Sequence, residues 1–145
     1  MQVYKTAACD FCHGSTGNGG QAHDDHFGRV IDPGPSLVQS KLSREAMIEA
    51  VSCGTPGGLM PQFLAAAWTP ALPCYGKLAA DLAPEARPQQ PSPYAVPPGP
   101  YRALSRTQVE AVVDYVQAVY QGKGMSLANC IKYHGAASRA CDLLR

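Results

Sequence analysis

Cys9-Asp10-Phe11-Cys12-His13 narrows the possible folds more than any other stretch, because it commits two thiols and an imidazole to one turn of chain. In an α-helix, positions i, i+3 and i+4 share a face, so the three side chains can address a single flat ligand. A thioredoxin-type C-x-x-C follows a strand in a βαβ pattern, and no run of alternating β-branched residues bounded by turns occurs here. A structural zinc site needs a second C-x-x-C or a histidine pair at finger spacing, and Cys53 and Cys74 are too far apart to supply one. The helical spacing and the missing strands point to an all-α chain built around a covalently held group.

C-x-x-C-H is the attachment sequence for c-type haem. One haem c is therefore expected, joined through thioethers at Cys9 and Cys12, with His13 as an axial ligand to its iron. A soft thioether is the expected sixth ligand of an electron carrier, and the chain has four methionines. Met1 is terminal, Met47 lies on the apolar face of a helix, and Met125 follows a Gly-Lys-Gly turn. Met60 lies in Thr55-Pro56-Gly57-Gly58-Leu59-Met60-Pro61-Gln62-Phe63, a Gly- and Pro-rich loop that can bring backbone close to a flat ligand and project one side chain. His13 and Met60 are thus the expected metal ligands. His23 and His26 flank two aspartates with no further ligand cluster and read as a solvated loop, as does His134. Trp68 and Tyr75 are expected to cover apolar surface rather than to reach a haem propionate, and Arg29 is a candidate propionate partner.

The 145 residues suit one domain. Hydrophobic content of 46% with no apolar run near about eighteen residues excludes a membrane span. A net charge of +1 with 16% charged residues argues against disorder and against a nucleic-acid binder. Helical patterns run from about Val3 to Cys12, from Ser43 as N-cap to Gly54, and from a Ser105/Gln108 capping box along Val109, Val112, Val113, Val116, Val119 and Tyr120 to Gly122. Short helical turns are expected within Phe63–Trp68 and Gly76–Ala83. Seven prolines between Pro84 and Pro100 read as extended chain without a regular element.

Four cysteines remain after haem attachment, which allows three pairings; Cys53–Cys74 and Cys130–Cys141 are the expected ones. The first would tie the connection after the Met60 loop to the end of the second helix. The second would close a short loop and keep the tail ordered. Disulfides and attached haem both belong outside the cytoplasm, so a periplasmic or otherwise extracytoplasmic location is expected. The start Met1-Gln2-Val3-Tyr4-Lys5 has no basic flank leading into an apolar run, so a processed form or a fragment is expected.

In order along the chain, Cys9-x-x-Cys12-His13-Gly14, Gly17-x-Gly19, Pro35-x-Leu37, Gly58-Leu59-Met60-Pro61-x-Phe63 and a valine-rich helix containing Tyr115 resemble a class I cytochrome c. The resemblance covers most of residues 1–70 and 104–121, with 71–103 as an insertion and 122–145 as a C-terminal extension. It implies three main helices wrapped around one haem, the Pro35 carbonyl receiving the ring N–H of His13, and Leu37 packing on the porphyrin. It also implies electron transfer rather than enzymatic turnover, with redox partners such as a donor dehydrogenase and a downstream oxidase or second cytochrome. A place as a fixed subunit or fused domain of a larger oxidoreductase, or a haem with an open sixth position, are the rival expectations.

Overall fold

Hydrogen-bonding side chains and glycines at the ends of apolar patterns set limits of the longer helices in this protein. The computed structural model describes residues 1–20, 23–24, 30–31, 33–88 and 103–144. Its elements are α1 (Gln2–Thr6), α2 (Cys9–His13), β1 (His23–Asp24), β2 (Val30–Ile31), α3 (Arg44–Cys53), α4 (Arg106–Val119) and α5 (Leu127–His134). Single 3₁₀ segments lie at Ala79–Asp81, Pro84–Ala86 and Arg139–Leu144. The chain divides into two compact units, Met1–Lys41 with Asp114–Arg145 and Leu42–Val113, the division falling within α4.

The class is all-α, with five α-helices among the described residues in place of the three expected. A single helix over Val3–Cys12 is not what forms. Ala8 adopts φ 55° and ψ 31°, which ends α1 and starts α2 in a new direction. A left-handed alanine costs about 1–2 kcal/mol, and Thr6-Ala7-Ala8 contains no glycine or proline to announce it. β1 and β2 form a two-pair antiparallel ladder, His23 opposite Ile31 and Asp24 opposite Val30. Two pairs are too few to leave an alternating pattern in the sequence.

In the first unit, Tyr4, Tyr120, Tyr133, Cys130, Cys141 and Met125 are buried. α5 was not expected in the tail. Its signals are local ones, Ser126 Oγ accepting from Asn129 N at 3.2 Å and Gly135 following the last turn. The Cys130–Cys141 disulfide joins α5 to the 3₁₀ segment after it, as expected. Closing an 11-residue separation contributes about 3 kcal/mol in the chain-entropy picture.

In the second unit, α3 starts and stops where the sequence indicates. Ser43 Oγ accepts from Ala46 N at 3.2 Å, and Gly54 takes φ 68° and ψ −168°, a region that only glycine enters readily. α4 opens on the expected capping box, with Ser105 N donating to Gln108 Oε1 at 2.9 Å and Gln108 N to Ser105 Oγ at 3.2 Å. The six apolar positions read along it, from Val109 to Tyr120, are all buried.

Cys53 and Cys74 are joined. They form a buried cluster with Ala67 and Trp68, flanked by Leu64, Leu72, Ala79 and Leu82. Residues 63–68 make turns rather than a helix, and Gly76–Ala83 holds only the 3₁₀ turn at Ala79–Asp81. Pro84 opens a further 3₁₀ turn instead of extended chain, because at the first position its missing N–H has no partner to lose. The expectation for Pro91 to Pro100 falls outside the described residues.

Candidate haem-attachment site

The Cys9–His13 turn is held at both ends by backbone. Gly14 N closes it on Asp10 O at 2.9 Å. The last carbonyls of α2, which have no partner within the helix, accept from three glycines: Cys12 O from Gly20 N and Gly34 N at 2.8 Å each, His13 O from Gly19 N at 3.0 Å. These approaches require glycine. A Cβ on Gly20 would stand 2.6 Å from Cys12 O, and one on Gly34 would stand 2.9 Å from the His13 ring.

His13 Nδ1 lies 2.9 Å from Pro35 O. A carbonyl can only accept, so Nδ1 carries the proton and Nε2 keeps its lone pair, the tautomer a metal-ligating histidine needs. Burial lowers the imidazole pKa, and the Pro35 hydrogen bond opposes that shift. Leu37 is half-buried, its N–H donating to Gly17 O at 2.8 Å. Cys9 and Cys12 stay outside the two disulfides. Burial, then the charges of Asp10 and Cys12, pushes the Cys9 thiol up to about 12. Two thiols outside the disulfides and an imidazole of fixed tautomer on one turn fit haem c, which supplies a one-electron ferric/ferrous couple when bound.

Four tyrosines surround this turn, and the sequence reading assigned them no role at the site. Tyr4 OH donates to Gly14 O and Tyr120 OH to Ser15 O, each at 2.8 Å. Tyr133 OH donates to Asp10 Oδ2 at 2.7 Å, and Tyr115 OH lies 3.3 Å from Tyr120 OH. The Tyr4 ring is 5.6 Å from Tyr115, 5.4 Å from Tyr120 and 6.4 Å from Tyr133 between centroids. Lys5 Nζ lies over the Tyr133 ring at 4.0 Å and donates to the Tyr133 carbonyl. The tail therefore holds the attachment turn through Asp10, the variable position next to Cys9. Replacing Tyr133 with Phe is expected to lower unfolding free energy by about 1–2 kcal/mol, since the Asp10 carboxylate loses a donor. Denaturant titration of the two forms checks this.

Burial raises the pKa values of Tyr4, Tyr120 and Tyr133 well above the ordinary tyrosine range, with their neighbours adding to it. The neutral phenol is favoured in the fold, while the unfolded chain ionises near pH ~10. Stability is therefore complete below that pH and falls above it, by at most about 1.4 kcal/mol per pH unit for each buried phenol. Of the seven tyrosines, three are expected to contribute tyrosinate absorbance only as the protein unfolds, between pH ~10 and ~12, and not before it. Ionisation of all three phenols with the fold intact would refute this.

Met60 is half-buried in the loop after α3, its carbonyl accepting from Thr55 N at 3.0 Å. Trp68 is buried as expected, and the donors of Trp68 and Tyr75 go to the carbonyls of Cys53 and Gly54 rather than to a propionate. His134 is not in a solvated loop: it ends α5 against the Tyr133 ring, with Nε2 buried and lacking a hydrogen-bond partner among the described residues. His26 and Arg29 lie outside the described residues. Among the described residues no group of three or more His, Cys, Asp or Glu is arranged to hold a metal ion, and no helix is long and apolar enough to cross a membrane.

Residues 1–71 match the family described as cytochrome C oxidase, cbb3-type, subunit III. No curated protein and no solved structure matches the chain. The matched segment contains the attachment turn, Pro35 and the Met60 loop. With the Cys9–His13 geometry, this match over residues 1–71 supports a class I c-type cytochrome and electron transfer by it.

Proposed function

We propose that this protein is a monohaem electron carrier in which His13 and Met60 fill both axial positions of the iron. The observation that carries the reading is the Cys9–His13 turn, with His13 Nδ1 held by Pro35 O. Met60 is favoured for the second position by chemistry and setting: a thioether stabilises the ferrous state, and the loop around it combines glycines with proline. Pro35 orients the histidine, and Leu37 packs beside the macrocycle. With both axial positions filled by the chain, no place is left for a substrate at iron. Electrons then enter from a donor dehydrogenase and leave to a downstream acceptor such as an oxidase or another cytochrome. The paired cysteines favour an extracytoplasmic location.

Optical spectra of the matured protein in both oxidation states test the ligand set. One haem per chain, a weak red band from sulfur on ferric iron, and no carbon monoxide binding to the reduced protein at neutral pH are expected. Ready carbon monoxide binding or a missing red band would remove Met60 from the iron.

A second reading is favoured by the description of the matching family, a subunit of an oxidase. Here the protein is an electron-entry subunit fixed in a larger oxidoreductase, with residues 71–103 or 122–145 as its interface. Purification from the native membrane and soluble fractions decides: elution as a free chain supports the carrier, and elution with a catalytic subunit supports the fixed subunit.

A further inference from the structure

Two aromatic residues in the second unit have left-handed backbone, and they touch each other. Trp68 has φ 66° and Tyr75 has φ 51°, with ring centroids 5.9 Å apart. Such strain persists only where the surroundings over-determine it. Tyr75 and Gly76 form the corner of a two-residue hairpin, closed by Cys74 N on Lys77 O at 2.9 Å and Lys77 N on Cys74 O at 2.8 Å. Both corner residues need positive φ, a position that asparagine or glycine fills with far less strain than tyrosine.

What tyrosine adds there is a long reach with a donor at its end. Tyr75 OH donates to Gly54 O at 2.8 Å, and Trp68 Nε1 donates to Cys53 O at 2.7 Å. The two side chains thus hold consecutive carbonyls at the end of α3. Tyr75 N donates to Glu49 Oε1 at 2.7 Å, one turn back on the same helix, and the Cys53–Cys74 disulfide fastens the hairpin to the last residue of α3. Gly54 in turn lies against the ligand loop. A Cβ there would stand 2.6 Å from Met60 O, and the next amide, Thr55 N, donates to that oxygen at 3.0 Å. Gly57 N donates to Ala86 O at 2.9 Å, so a later part of the same connection also grips the loop.

We propose that Tyr75 and Trp68 are positioning residues for Met60: they hold the Cys53 and Gly54 carbonyls and, through Gly54 and Thr55, the main chain of Met60, so that the loop opens rarely. The proposal rests on the reading of Met60 as an iron ligand. The connection between α3 and α4 then has a role in ligation, keeping the thioether from leaving the iron and the sixth position from admitting other molecules.

Tyr75→Phe removes one oxygen and leaves the ring, the hairpin and the disulfide in place. In the ferric holoprotein, the rate of imidazole binding at saturating imidazole reports loop opening, and amide exchange at Thr55 reports it independently of the iron. Both are expected to rise about tenfold, the factor that one ordinary hydrogen bond carries. Ser43→Ala, which removes the cap at the other end of α3, serves as the control and is expected to change neither. Rates within about twofold of wild type in Tyr75→Phe, or equal acceleration in Ser43→Ala, would overturn the clamp. Absence of the sulfur-to-iron band from the wild-type protein would instead overturn the ligand reading, and Thr55 exchange would still decide whether Tyr75 holds the loop.

Discussion

Met60→Ala is expected to abolish the weak red band of the ferric protein, to let carbon monoxide bind the ferrous protein at neutral pH, and to lower the reduction potential. A thioether draws the couple toward ferrous iron, so its loss favours the ferric state. Axial ligands move haem potentials over a range of ~0.8 V, and a drop on the order of 0.1 V or more follows from losing a sulfur ligand. The haem itself is expected to stay attached, because the thioethers at Cys9 and Cys12 lie outside the altered loop. A retained red band in the variant would show that another side chain supplies the sulfur, and Met47 or Met125 would then be replaced in turn.

Gly17→Ala is expected to cost a large part of the protein's stability. Gly17 has φ 74°, and a Cβ placed on it would stand 2.5 Å from Tyr120 Cγ and 2.6 Å from Cδ1. The Tyr120 ring cannot withdraw freely, since its hydroxyl is bonded to Ser15 O and its ring lies against Tyr4 and Tyr115. Left-handed strain of about 1–3 kcal/mol therefore adds to a repacking cost of similar size. Gly17 O also accepts from Leu37 N and Val38 N, so a shift of this residue disturbs the segment that carries Pro35 and Leu37. Denaturant unfolding of the holoprotein is expected to show a loss of about 3 kcal/mol or more. A loss below about 1 kcal/mol would mean that the tyrosine cluster yields, contrary to the packing described.

Features decided by nearby residues were legible in the sequence. Ser43 and Gly54 bound α3, and Ser105 with Gln108 opens α4, because caps act over three or four positions. The attachment turn was legible for the same reason, and so were both disulfides, each linking residues 21 or fewer apart in sequence. α5 has equally local signals in Ser126 and Gly135, and they were passed over because the resemblance ends before the tail. The Ala8 break could not be read: alanine favours helix, and only the packing of α1 and α2 imposes the left-handed turn. The tyrosine site was hidden differently. Tyr133 and Asp10 are 123 positions apart, and their hydrogen bond exists only once the unit is assembled. Trp68 is buried as the sequence indicates, whereas Tyr75 stays exposed rather than covering apolar surface, and the hold of both on the end of α3 depends on backbone angles that composition does not reveal.

The two disulfides leave Cys9 and Cys12 as the only cysteines not oxidised to each other or to a neighbour. Six thiols can pair fully in about fifteen ways, and the two closest in sequence are the ones that must not combine. Biogenesis thus has to deliver opposite redox fates within one polypeptide, oxidant to four sulfurs and protection to two until haem arrives. Porphyrin capture is expected to require both amino-end thiols reduced, so a cystine formed there first has to be reduced again before haem can attach.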